Sequence, residues 1–356
     1  MQTLDKPTMA SELRAMAWTV LLVPACAWYA RSACRRLRPG LPRLAALAPT
    51  FPVFVYLPCL FNSLHFRLFS TFFHTWLAIN KLVLLALGIG PLHPSLPLVP
   101  FVLCASLPIK LRLSQQPPAA KRSPSSPPPP PLADFLRPCA RSFFFLSCLF
   151  VAYPHTGWLP VYAVHFLYCV QVFLTLDLVL SSVALASATV LDAGLERQFS
   201  TPLAVASLND FWGRQWNLMA VDLLRASAYE PVRARWGRDA GVLAAFLMSG
   251  LLHELLYLYL TLRRPRGEMV LFFMLHGVSQ IAERWARAAG LWRPSKVAAY
   301  LLVSAFMVVT ISELFFGPFM RAGADVRLME EAAAMLQLIM GVSRRLLRPF
   351  GVVSSL

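Results

Sequence analysis

An all-α, polytopic integral membrane protein, with seven to nine transmembrane helices and further interfacial helices, is the fold this sequence predicts. Three observations carry that expectation. Residues of the AVILMFWYC set occupy 57% of the 356 positions. Charged residues occupy only 14%, where soluble domains carry about 25%. Apolar runs near the ~20 residues that cross a bilayer as a helix recur along the whole chain. A water-soluble fold of this length has nowhere to hide so much apolar surface, and the mean hydropathy is +0.58. Disorder and a small disulfide-stapled module are excluded on the same grounds.

The first candidate span covers residues 13–30. Glu12 and Asp5 spoil the basic leader that a signal peptide needs, so it reads as an anchor. A basic loop with Arg31, Arg35, Arg36, Arg38 and Arg43 follows, then spans at 44–61 and 68–87. Residues 98–109 follow Pro97, contain Pro108 and are too short to cross, so they are expected to dip into the interface and return. That placement keeps the basic stretches on one side of the membrane, as the positive-inside rule prefers. Residues 110–141 read as a basic, Pro-rich cytoplasmic loop. Within it, 117–131 holds eight prolines, five of them consecutive, the composition of a semi-rigid polyproline linker. A ligand for an SH3 or WW domain is the alternative use of such a run.

Residues 142–153 and 161–191, joined by a Pro-containing turn, predict a helical hairpin with one tilted arm. Residues 192–239 form the longest polar interval, read as a cytoplasmic loop with Arg197, Arg214, Arg225, Arg233, Arg235 and Arg238. Further spans are expected at 240–260, 269–281 and 297–316. The chain reads as a single membrane-embedded domain, 1–356, without the internal repeat that marks many transporters.

The net charge of +16 comes from 33 Lys and Arg against 17 Asp and Glu. These basic residues flank apolar runs, which is the pattern of loops on an anionic leaflet rather than of a nucleic-acid-binding face. The seven cysteines show no C-x-x-C pair and mostly sit in apolar runs, so they suggest neither a disulfide framework nor a metal site.

Two segments concentrate chemistry. The first reads LNDFWGRQWN over 208–217. Ser207 followed by Asp210 resembles a helix-capping pair. A helix from there would place Asp210, Arg214 and Asn217 on one polar stripe beside the aromatic Phe211, Trp212 and Trp216. Such a Trp- and Arg-rich helix suits the membrane interface, and a purely anchoring role is the alternative to a functional one. The second is MSGLLHELLYLYL over 248–260, where His253 and Glu254 stand mid-span. Ionisable groups at that depth face a cavity or the bundle interior. Helical spacing puts Ser249, His253 and Tyr257 on one face, with room beside Gly250. A neutral histidine there has the acid–base property a general base requires; interhelical hydrogen bonding is the competing role. His276 heads a stripe with Gln280, Glu283 and Arg287 but has no companion asparagine, and the structural role is preferred for it.

The pairing of NDFWGRQWN with SGLLHEL, thirty-six residues from Asn217 to His253, resembles the membrane-bound O-acyltransferase (MBOAT) superfamily, most closely its plant wax synthase branch of long-chain-alcohol and sterol O-acyltransferases. SLPIK ending at Lys110, LERQF ending at Phe199, FFMLHG over 272–277 and FFGPF over 315–319 extend the likeness over most of the chain. The Pro-rich insert and the first dozen residues lie outside it. The resemblance implies an MBOAT-like fold, His253 as catalytic base and Asn217 as its partner; Asp210, Trp212, Arg214, Trp216, Ser249 and Tyr257, on the same two segments, are expected as substrate contacts around them. It further implies acyl-CoA as co-substrate with no permanently bound cofactor or metal, and a lipophilic alcohol as acceptor. The acceptor is expected to be a fatty alcohol, giving wax esters, with a sterol or triterpenol as the alternative; the expected location is the endoplasmic reticulum. No Ser or Cys nucleophile with a base at recognisable spacing is visible, so direct transfer is expected rather than an acyl-enzyme. A channel or transporter using the same polar stripes is the reading from another class.

Overall fold

A computed structural model describes residues 7–109, 133–191 and 206–347. The described residues are helical, with no strand among them. The elements in order are α1 (Met9–Arg36), α2 (Leu41–Leu47), α3 (Thr50–Tyr56), α4 (Leu64–Ser70), α5 (Ile79–Leu87), α6 (Leu98–Ser106), α7 (Ala133–Ala152), α8 (Val161–Leu191), α9 (Leu208–Asp210), α10 (Leu218–Leu224), α11 (Glu230–Thr261), α12 (Glu268–Ala288), α13 (Lys296–Thr310), α14 (Gly317–Arg321) and α15 (Ala324–Leu347). A π-helical segment, Thr71–Ala78, joins α4 to α5.

Six stretches are long and apolar enough to cross a membrane: Met9–Arg36, Leu64–Leu87, Leu136–His155, Val161–Ser187, Leu218–Thr261 and Lys296–Arg321. The pair Leu41–Leu47 and Thr50–Leu60, bent by 47°, makes a seventh if it forms one broken span. The 269–281 run, read as a span from sequence, belongs to α12; that helix carries Glu268, Glu283, Arg284 and Arg287 and is not among the six. Many outward residues, among them Trp18, Leu21 and Trp28 on α1, are large, apolar and exposed, as a lipid-facing surface requires.

Residues 98–109 do not cross. α6 is nine residues long, or ~14 Å at 1.5 Å per residue, less than half of the ~30 Å hydrocarbon layer. Its C-terminal end is held by Lys81, a fully buried residue whose Nζ donates to the carbonyls of Cys104 (2.6 Å) and Leu107 (2.8 Å). A cation at exposed C-terminal carbonyls satisfies both partners inside an apolar core. Around it α1, α2, α3, α5 and α6 pack through Ala27, Ala30, Leu47, Phe54, Leu82 and Phe101. Small residues such as Ala27 and Ala30 let helix backbones approach where no hydrophobic force drives them together.

Two loop assignments change. α7 begins at Ala133, so residues 133–141 are helical rather than part of a 110–141 loop; Lys110 and the Pro-rich run lie outside the described residues. Of the 192–239 interval, 192–205 also lies outside them, while 206–239 is mostly helical: α9, a π-helical turn, α10 and the start of α11. α11 bends at Gly237, whose φ of 85° glycine adopts without steric cost. The hairpin of α7 and α8 is present, clamped by Asp177, which accepts from Ser142 (2.6 Å) and Arg141 (2.9 Å).

Candidate active site

α11 and α12 form the scaffold of the site. At their crossing a Cβ on Gly250 would lie 2.7 Å from the Cα of Val270, so only glycine permits this approach. One turn further on, the buried Glu254 accepts from the backbone N–H groups of Met269 (2.9 Å) and Val270 (3.3 Å). Its carboxylate therefore caps the first turn of α12 and favours the positive end of that helix dipole. Glu254 is thus a structural neighbour of His253, and its carboxylate is occupied with that helix end.

His253 projects from α11 between Phe273 and Phe315, at ring-centroid distances of 4.5 and 5.6 Å. Its Nδ1 lies 2.8 Å from the backbone carbonyl of Ser249. A carbonyl only accepts, so Nδ1 carries the proton and donates, which leaves Nε2 with its lone pair. Ser249, expected on the same face, supplies this fixing carbonyl. Tyr257 is on that side of the helix too, but it is buried edge-on against Phe319 and does not line the cavity described below.

The 208–217 segment departs from the single helix that its spacing predicts. Ser207 does cap α9, accepting from Asp210 N–H at 3.0 Å. The chain then widens into a π-helical turn at Phe211–Gln215 and leaves the helix at Trp216. Asp210 and Arg214 keep their i,i+4 ion pair at 3.5 Å. Asn217 does not join that stripe: it has left-handed backbone (φ 39°, ψ 71°), is buried, and caps α10 by accepting from Ala220 N–H at 3.2 Å. Asparagine tolerates both tasks better than other non-glycine residues, which gives Asn217 a local reason to be there. Trp212 turns inward, edge-on to Phe246 and Phe272, and its Nε1–H donates to His276 Nδ1 at 3.1 Å. Trp216 stacks on Phe211 at 5.5 Å.

These elements enclose a cavity of about 1730 Å³, well above the ~300–1,000 Å³ of ordinary ligand pockets. Asp210, Trp212, Trp216, Asn217, Ser249 and His253 all line it, whereas Arg214 faces outward and is exposed. Asn217 and His253 share the cavity but, among the described residues, no direct hydrogen bond. Along α11 the lining runs from Arg238 to Leu260, ~33 Å at helical rise, about the hydrocarbon thickness. His253 lies ~22 Å from the Arg238 end on the same ruler. The walls are mostly aromatic and aliphatic: Phe273 and Phe315 flank the histidine, and Phe246 and Phe272 continue the wall. The Arg238 end is cationic: Arg284 and Arg287 join it, Arg284 paired with Asp239 and Arg287 with Glu283, while Arg225 lines the cavity elsewhere.

Helical spacing places Gln280, Glu283 and Arg287 on the stripe that His276 heads, for which a structural role is expected; all three line the cavity, and so does Arg284, which lies beside that stripe. His276 stands behind that wall, fully buried.

A model of the membrane bound O-acyl transferase family matches residues 195–275, a stretch that includes Asn217 and His253. The acyl-CoA–sterol O-acyltransferase 1 of Arabidopsis thaliana is 32% identical over 350 residues, covering 95% of this chain and 99% of that protein. The long-chain-alcohol O-fatty-acyltransferase of Simmondsia chinensis is 34% identical over 307 residues, covering 83% and 86%. The probable long-chain-alcohol O-fatty-acyltransferase 1 of Arabidopsis thaliana is 34% identical over 313 residues, covering 85% and 90%.

Proposed function

The chain belongs to the membrane bound O-acyl transferase family, an integral membrane acyltransferase, and from that premise we propose that it esterifies a long-chain fatty alcohol with a fatty acyl group from acyl-CoA to form wax esters. One observation carries the reading: His253 reaches a membrane-deep cavity with Nδ1 committed to Ser249, so the unprotonated Nε2 is the nitrogen left for chemistry. In this scheme Nε2 takes the alcohol proton as the oxygen attacks the thioester carbonyl; a C–O bond forms, the C–S bond breaks, and the proton passes to the departing thiolate. Asn217 orients the acceptor or donates to the developing oxyanion, a contribution of about 3 kcal/mol in comparable sites.

The shape of the cavity supports the same division of labour. Coenzyme A phosphates suit the cationic end at Arg238, Arg284 and Arg287, and the acyl chain and alcohol suit the apolar walls. The positive-inside rule then puts that end toward the cytoplasm, in keeping with a place in the endoplasmic reticulum. The relative named as a sterol acyltransferase, aligned over nearly its full length, makes a sterol or triterpenol the alternative acceptor, since acceptor choice is a matter of pocket shape. Labelled palmitoyl-CoA fed with a panel of alcohols to microsomes expressing the chain tests both. A fatty alcohol as the preferred acceptor supports the proposal, a sterol preference transfers it to the alternative, and no ester with any alcohol refutes it.

A further inference from the structure

His276 is fully buried behind the cavity wall, and both of its ring nitrogens are engaged. Nδ1 accepts from the Trp212 indole N–H at 3.1 Å. Nε2–H then donates to Thr310 Oγ1 at 2.9 Å, whose own hydroxyl donates to the Phe306 carbonyl at 2.7 Å. Every donor in this chain of three bonds has an acceptor, so the ring is fixed in one tautomer, the opposite of the one at His253. Its single product on the cavity side is the orientation of Trp212.

Trp212 occupies a particular stretch of wall. Its ring packs edge-on against Phe246 and within 5.7 Å of Phe273, which touches His253, and both phenylalanines line the cavity. Phe246 lies ~10 Å before His253 along α11. Trp212 therefore borders the passage between the arginines and the histidine. On the acyl-transfer reading, on which this inference rests, the only part of either substrate that must run there is the pantetheine arm linking the phosphates of coenzyme A to its thioester.

We propose that His276 is a positioning residue that holds Trp212 in the passage wall, and that this pair tunes recognition of the acyl-CoA donor and not of the alcohol. His276→Leu removes the acceptor and leaves the indole N–H unpaired. His276→Asn places an amide oxygen near the position of Nδ1 and keeps an acceptor. Trp212→Phe removes the donor and keeps a ring in the wall.

The test is steady-state kinetics of the full chain in microsomes, varying acyl-CoA and alcohol separately for each variant and for the His276→Leu, Trp212→Phe pair. His276→Leu and Trp212→Phe are expected to raise the KM for acyl-CoA by about two- to tenfold, the worth of one hydrogen bond, and to move the KM for alcohol less. The double variant should be no worse than the more affected single one, because both break the same bond, and His276→Asn should return the donor KM toward wild type. Equal effects on both KM values, additive losses in the double variant, or no rescue by His276→Asn at equal protein level would each overturn the proposal. Should His276→Leu fail to accumulate, the donor-to-acceptor KM split of Trp212→Phe decides alone. An inactive wild-type chain would instead refute the acyl-transfer reading itself, which keeps the two failures apart.

Discussion

Asn217 shows how one side chain answers to two demands. It caps α10 and bears a left-handed backbone, and it also lines the cavity that His253 reaches. Losing the cap costs about 1 kcal/mol, and an alanine forced into left-handed backbone costs a further ~1–2 kcal/mol. Glycine avoids the second cost. Asn217→Gly should therefore melt above Asn217→Ala in detergent, while both lose ester formation together. If the better-folded glycine variant recovered activity, the asparagine would be a cap and nothing more. The pairing of Asn217 with His253 comes from the family resemblance, and helical spacing alone puts Asn217 on the stripe with Asp210 and Arg214, which it does not join. The 3.6-residue period assumes a continuous α-helix, and the π-helical turn at Phe211–Gln215 breaks it. For the same reason Arg214 was expected against substrate and instead points outward, while Ser249 contributes through its backbone carbonyl, which no side-chain pattern reveals.

Among elements, the α11–α12 crossing has the tightest tolerance. A methyl group at Gly250 meets the Val270 backbone at 2.7 Å, and overpacking of this kind costs about 1–3 kcal/mol. Gly250→Ala should lower the melting temperature and, by moving Phe273 away from His253, lower activity as well; an unchanged melting curve would show that the helices can separate freely. A second joint ties α15 to the start of α4. Burial alone would raise the Glu331 carboxyl, but bonds from the His65 ring, the Leu64 N–H, the Ser63 hydroxyl and the His65 N–H outweigh it and hold the group at about 2, below its ordinary 4.5. A carboxyl depressed on folding stabilises above its unfolded value, and that contribution drains away as pH falls from about 4.5 toward about 2. Stability of the wild type should drop across that window, and Glu331→Gln should flatten the drop; parallel profiles for the two would remove Glu331 from the joint. The helices at 13–30, 68–87, 161–191 and 240–260 were legible because long apolar runs leave little choice. The apolar run 269–281 alone suggests a span, but in α12 it continues into Glu283, Arg284 and Arg287. What those residues face became clear only from the packing of α9 and the π-helical turn against it.

At the scale of the molecule, the helices surround a cavity that is cationic at one end and aromatic around the histidine. Sequence composition indicated the membrane and the excess of basic residues, but a cavity assembled from α4, α8, α11, α12 and α13 depends on contacts between residues far apart in the chain, and no local pattern encodes it. Removing charge where the cavity is cationic should act on the donor: Arg238→Gln is expected to raise the KM for acyl-CoA more than that for alcohol, and Arg214→Gln, outside the cavity, should do so less. The reverse order would move coenzyme A to the outer face of the 208–217 segment.

If His253 removes the alcohol proton within this cavity, microsomes carrying equal amounts of wild-type protein and His253→Ala should differ completely in ester formation from labelled palmitoyl-CoA and a long-chain alcohol. Labelled ester is expected from the wild type and none above background from the variant, with membrane insertion unchanged. Ester made by His253→Ala at a substantial fraction of the wild-type rate would place the base elsewhere.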